Sequence, residues 1–155
     1  MNSKEKPSVL FVCMGNICRS PMVEAVARVE FAKAGFDARV ASAGTEGYHV
    51  GDRADSRAIE VAEAHGYPLA KHRARQVVSE DFQRHDHVFA MDRVNLRALG
   101  RLQAEHPSRL FLDGAALDLD EVPDPYYGGR EDFERVLALA RDGVAALIAR
   151  LRAGG

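Results

Sequence analysis

Tryptophan is absent from the 155-residue chain and cysteine nearly so, with only Cys13 and Cys18 present. Two thiols within one short segment close too small a loop to staple a fold, so a disulfide-built secreted domain is excluded and a reducing, cytoplasmic setting is expected. An excess of one charge is missing as well, since 21 Lys and Arg stand against 23 Asp and Glu for a formal net charge of -2. That balance lacks the basic surplus of nucleic-acid and membrane-surface binders, and neither partner is expected. No apolar run approaches the ~20 residues of a membrane span. The polar start Met1 to Pro7 leads into an apolar run too short for a secretory signal core, so nothing marks the chain for export. Internal repeats and low-complexity tracts are absent. The length suits a single domain, residues 1–155, with residues 1–7 as a flexible N-terminal tail.

What is present alternates between two periodicities. The run Ser8 to Val12 suits a strand buried on both faces of a parallel sheet. Ser20 and Pro21 open a helix with Pro at its first position, and Met22, Val23, Val26, Val29 and Ala34 keep an apolar stripe up to Gly35. Asp37 to Ala43 reads as a weaker strand, followed by a glycine-punctuated loop over 44–51. A second helix is expected over 55–65, capped by Asp55 or Ser56 and stopped by Gly66. One helical turn over 79–82, a strand over 87–91, a helix from Arg93 to Glu105 capped by Asp92, and a strand over 109–112 follow. After the turn-rich segment Pro123 to Gly129, the apolar positions Phe133, Val136, Leu137, Ala140, Val144, Leu147, Ile148 and Leu151 define a long amphipathic helix. Strands alternating with helices imply an α/β fold, a small four-stranded parallel sheet with helices on both faces. Ligands in such sheets lie beyond the C-terminal strand edges. Cys13 sits at that edge, and Met91-Asp92 and the loop after Leu112 can reach the same rim.

Between Cys13 and Arg19 lie five residues, enough to curl the chain so that successive N–H groups point at one tetrahedral anion. The helix that follows adds its positive end. Gly15 and Asn16 make the curl feasible, because both tolerate positive φ. Arg19 supplies a planar fork for two oxygens of a phosphate. The same field acts on sulfur, so Cys13 is expected to be largely thiolate near neutrality. A lone cysteine after a strand is ordinarily a small buried hydrophobe, but strand, spacing, Ser20 and Pro21 coincide here. Cys18 either packs inside the loop or pairs reversibly with Cys13 under oxidation. A leaving oxygen needs an acid, and Asp124, fixed between Pro123 and Pro125, is the best candidate. Tyr126 and Tyr127 fit a substrate wall and a core position equally.

With Cys13-Met14-Gly15-Asn16-Ile17-Cys18-Arg19-Ser20-Pro21-Met22 and Asp124-Pro125-Tyr126-Tyr127-Gly128 in view, the chain resembles the low-molecular-weight protein tyrosine phosphatases. Ser42-Ala43-Gly44-Thr45, His72-Arg73-Ala74-Arg75-Gln76 and Met91-Asp92-Arg93-Val94-Asn95-Leu96 extend the resemblance over nearly the full length. It implies a flavodoxin-like three-layer sandwich and a two-step hydrolysis of phosphotyrosine needing neither metal nor cofactor. In that reading Cys13 forms a cysteinyl-phosphate, Asp124 is acid and then base, and Arg19 with the amides of Met14, Gly15, Asn16, Ile17, Cys18 and Ser20 holds the phosphate or another oxyanion. Ser20 makes Cys13 a better leaving group, while Asn16, Ser42, His72 and, more weakly, Asp92 brace the loop. Tyr48, His49, Tyr126 and Tyr127 wall the entrance, with Tyr48 where the family often has Trp and Asp55-Ser56-Arg57 where it often has Asp-Pro-Arg. The implied partner is a phosphotyrosine-bearing protein, a tyrosine autokinase among the candidates. In this family the adjacent tyrosines after the acid can be phosphorylated, which makes Tyr126 and Tyr127 candidate regulatory sites.

Three rivals are weaker. A thiol-dependent arsenate reductase needs relay cysteines downstream, and none follows Cys18. A non-catalytic phosphotyrosine-binding or redox-sensing module has no need of both Cys13 and Asp124. Asp118-Leu119-Asp120-Glu121-Val122 superficially copies an aspartate-nucleophile signature without a strand running into it, and His85 and His87 beside Asp86 form only a weak metal pair.

Overall fold

The computed structural model describes residues 6–103, 105 and 107–154, so most of the expected tail 1–7 lies outside the described residues. Four strands form one sheet: β1 (Ser8–Cys13), β2 (Arg39–Gly44), β3 (His87–Ala90) and β4 (Arg109–Leu110). They lie in the order β2-β1-β3-β4, every neighbouring pair parallel. Leu10 pairs with Ala41 on one side and Val88 on the other, and all six residues of β1 are buried. A strand between two others with both faces covered favours apolar side chains, hence the unbroken run from Val9 to Cys13, while the buried Ser8 at its start gives its hydroxyl to Arg84 O.

Alternate residues of β1 feed two different cores. Val9 and Phe11 point to the side covered by α1 (Arg19–Lys33), α2 (Ser56–Ala64) and α5 (Arg130–Arg152). Leu10 and Val12 point to the other side, where Phe82 of α3 (Asp81–Arg84) and Leu99 of α4 (Arg93–Leu102) pack with Val88 and Ala90. The fold is therefore a three-layer α/β sandwich with helices on both faces. Phe11 of β1, Phe89 of β3 and Phe111 just after β4 meet, with Phe11 edge-on to Phe111 at 5.4 Å between centroids.

Several boundaries differ from the sequence expectation. Helix α1 starts at Arg19, two residues early, with Pro21 third rather than first. Proline is tolerated anywhere in the first turn, whose N–H groups have no intrahelical acceptor, so it marks the start only to within a turn. Helix α4 ends at Leu102, short of Glu105; Gln103 leaves helical geometry and its N–H closes on Leu99. Residue 104 lies outside the described residues. Strand β4 has two residues, not four: Phe111 N still bonds to Ala90 O at 2.8 Å, but Asp113 N then turns back to Leu110 O ahead of Gly114 at φ 81°. The sequential neighbour β2 flanks β1 on one side and β3 flanks it on the other, so the crossovers diverge at the C-terminal end of β1. The crevice opened there is where Cys13 sits.

Candidate active site

The loop from Cys13 to α1 has its carbonyls turned outward. Cys13 O accepts from Thr45 N at 2.9 Å, Met14 O from Glu46 N at 2.9 Å, Ile17 O from Asp55 N at 2.8 Å, and Cys18 O from Met22 N at 3.2 Å. Asn16 O accepts from His72 Nε2 at 2.8 Å, which fixes that nitrogen as the protonated one. A peptide unit whose C=O faces out directs its N–H the other way, so the loop presents donors to its own centre. One is already engaged: Asn16 N donates to Cys13 Sγ at 3.3 Å. No side chain caps α1 and no acid lies in its first turn, so its leading amides remain for an anion.

Asn16 holds the curl. It has φ 60° and is fully buried. Its Nδ2 donates to Ser20 Oγ and Ser42 Oγ, each at 3.0 Å, and its Oδ1 accepts from Arg75 N at 3.0 Å. The Ser42 hydroxyl in turn donates to Glu24 Oε1. Gly15 does not have positive φ, contrary to expectation. Its side chain is missing for another reason, because a Cβ there would stand 2.9 Å from His49 Cδ2. Gly44 at the end of β2 is equally constrained, since a Cβ would lie 2.7 Å from Met14 O.

Cys13 Sγ stands 3.0 Å from Ser20 Oγ. Ser20 already accepts from Asn16, and its single proton has Sγ at 3.0 Å and Ala43 O at 3.4 Å to choose between, which favours sulfur. Arg19 is 3% exposed; its Nη1 donates to Asp92 Oδ2 at 2.7 Å and to Val122 O at 3.0 Å. Burial alone would lower the Arg19 pKa, but the Cys13 sulfur, Asp92 and Asp124 outweigh it and raise it further. Asp92 thus braces the arginine rather than the loop, and its other oxygen caps α4 by accepting from Asn95 N at 2.8 Å. Burial pushes the Cys18 thiol far up, reinforced by Asp55, Cys13 and Asp124. Cys18 is thereby held protonated.

A cleft of about 420 Å³ opens above this cradle. It takes in Cys13, Arg19 and Asp124, the loop residues Met14, Gly15, Ile17 and Cys18, and the walls Tyr48, His49, Tyr126 and Tyr127. Asn16 and Ser20 do not line it; both lie behind the loop, with Ser42 and His72 as bracing groups. The tyrosines are walls and not core, Tyr48 being 71% and Tyr127 94% exposed. Asp124 is exposed at the rim, and its Oδ1 accepts from Tyr126 N at 3.1 Å.

The chain matches the model of the low molecular weight phosphotyrosine protein phosphatase family over residues 8–154. It belongs to that family. A low molecular weight protein-tyrosine-phosphatase of Streptomyces coelicolor is 48% identical, with 93% of each chain covered. A low molecular weight phosphotyrosine protein phosphatase of Homo sapiens is 41% identical, covering 88% of this chain and 90% of its own. A crystal structure of a protein tyrosine phosphatase from Entamoeba histolytica superposes with a TM-score of 0.91 at 39% identity, covering 96% of this chain and 99% of that one. By this membership the protein is a hydrolase of the protein tyrosine phosphatase class.

The other motifs of the sequence are absorbed structurally. Asp120 forks onto Arg93 at 2.6 and 3.0 Å, and Glu121 accepts from Arg93 N at 2.8 Å. His85 faces Asp81 at 3.7 Å, while His87 stacks on Phe89. The contacts of four contributors are not read from the sequence: Glu24 behind Ser42, Gly44 against the loop, the Arg75 main chain on Asn16, and Arg57, described below. Gly44, Arg75 and Arg57 lie in segments that carry the family resemblance, and Glu24 lies one helical turn beyond Ser20.

Proposed function

We propose that the protein hydrolyses phosphotyrosine with Cys13 as nucleophile, Arg19 as the phosphate fork and Asp124 as general acid and base. The Cys13 sulfur attacks phosphorus, the bond to the tyrosine oxygen breaks, and Asp124 delivers its proton to that oxygen. Asp124 then takes a proton from water, whose oxygen attacks phosphorus while the S–P bond breaks. Ser20, whose hydroxyl is aimed at the sulfur, stabilises the thiolate as it leaves. Arg19 is anchored through Nη1, which leaves the other donors of its fork for the phosphate oxygens. The observation that carries the reading is the outward turn of the loop carbonyls beside a serine-bonded thiol.

The exposed walls Tyr48, Tyr126 and Tyr127 and the half-buried His49 suit a flat phenyl phosphate presented by a protein chain, and a tyrosine autokinase is a fitting physiological substrate. The two free thiols suit a cytoplasmic setting, and one domain across residues 1–155 suits the single sheet. The test uses aryl phosphates of graded leaving-group pKa with chelator present. Cys13→Ser abolishes turnover; Asp124→Asn slows poor leaving groups by about 10²- to 10⁴-fold and good ones less. Equal slowing across the series removes Asp124 from the acid role.

A further inference from the structure

We propose that Arg57 is a positioning residue that sets the general acid, by clamping the Asp124 loop to the opening of α2. The inference rests on Asp124 being the acid. Arg57 divides its fork between three residues that belong to two different parts of the site. Toward its own helix, Nε and Nη2 donate to the two oxygens of Asp55 at 3.0 and 2.9 Å. Toward the acid loop, Nη2 donates to Tyr126 O at 3.0 Å and Nη1 to Gly128 O at 3.1 Å. The guanidinium carbon lies 4.5 Å from the Phe133 ring centroid and 5.6 Å from that of Tyr126.

Tyr126 is therefore held from both ends, with its N–H given to Asp124 Oδ1 and its C=O taken by Arg57. Asp55 completes the link, because its main-chain N–H donates to Ile17 O of the phosphate loop at 2.8 Å. The path from cradle to acid runs Ile17, Asp55, Arg57, Tyr126, Asp124. Val122 anchors the start of the acid loop, through Met91 O and Arg19, and Pro125 is buried in its middle. Among the described residues, Arg57 is the side chain from outside the loop that bonds to its main chain between Pro123 and Gly128, whose other hydrogen bonds are internal. Chiefly through its hydrogen bond from Arg57, the Asp55 carboxyl is held below the usual carboxylate range, so the ion pair of the clamp keeps its charge in mild acid. A lysine presents one point charge and cannot engage a carboxylate and two carbonyls in one plane.

The experiment is a double-mutant cycle in the full chain, with kcat/KM measured across aryl phosphates of graded leaving-group pKa. Arg57→Ala and Arg57→Lys each lower kcat/KM by about tenfold for poor leaving groups and little for good ones, while the inhibition constant of inorganic phosphate stays within about twofold. In the Asp124→Asn background the same substitutions change kcat/KM less than about twofold. Full multiplicative loss in that background, equal loss for all leaving groups, or complete rescue by lysine overturns the clamp while leaving Asp124 as the acid. If Asp124→Asn alone slows every leaving group equally, the acid reading fails and the clamp falls with it. Arg57→Lys keeps the cycle measurable should the alanine variant fold poorly.

Discussion

Asn16 occupies left-handed backbone that a side-chain-bearing residue enters at a cost of roughly 1–2 kcal/mol, and it does so because three polar groups converge on its amide. Asn16→Ala keeps the strain and strands Arg75 N, Ser20 Oγ and Ser42 Oγ. The expected loss is about 3 kcal/mol in a urea titration, with kcat/KM down at least tenfold. Asn16→Gly relieves the backbone and should recover part of the stability but little of the activity. At this scale the sequence was legible through residue type and spacing at Cys13, Arg19 and Asp124, which meet in one cleft, whereas Ser20, Ser42 and His72 enter through the family resemblance. The sequence was silent where a main-chain atom acts, as Val122 O does on Arg19, because every residue has a carbonyl. Gly15 was singled out for the wrong reason, since a glycine kept clear for a neighbouring ring looks the same in sequence as one kept for its φ.

Elements were readable where burial imposes a period. The unbroken run of β1 and the stripe of α5 each announce what covers them, but α1 begins where the cradle ends, a limit set by the anion-facing turn and not by any capping side chain. Packing between elements left less trace. Gly143 lies buried in the middle of α5, where glycine ordinarily costs about 1 kcal/mol relative to alanine. Its reason is the segment just after β4, because a Cβ there would run into the Phe111 ring and stand 2.9 Å from Leu112. Gly143→Ala should therefore destabilise by roughly 1–3 kcal/mol instead of stabilising, read as a lower Tm, because the strand and helix would have to separate. An increase in Tm would show that the aromatic cluster yields.

For the molecule as a whole, acid should loosen the sheet face that carries α3 before it reaches the carboxylates elsewhere. Burial lowers the pKa of His85 below its ordinary value of 6.5 despite the pull of Asp81. Asp81, though burial would raise it, is held below the usual carboxylate range by Arg75, Val78 N and His85. Both folded values are depressed, so the unfolded chain binds more protons and stability falls as pH drops. The His85 share is complete above about 6.5 and is lost as pH falls through its lower folded value; the Asp81 share follows in the more acidic range below the ordinary carboxylate value. Melting temperatures from pH 7 to 4 check this, and His85→Gln should remove part of the upper slope, the remainder coming from His87, whose pKa burial also lowers. Strand order and the pairing of Asp92 with Arg19 were not legible, since each joins segments far apart in the chain. The same distance governs the outward-turned carbonyls beside Cys13. Their partners come from Thr45, Glu46, Asp55 and His72, so the octapeptide that bears the nucleophile does not own its shape. Excised, or spliced between the strand and helix of another protein, it would be an ordinary thiol on a flexible string.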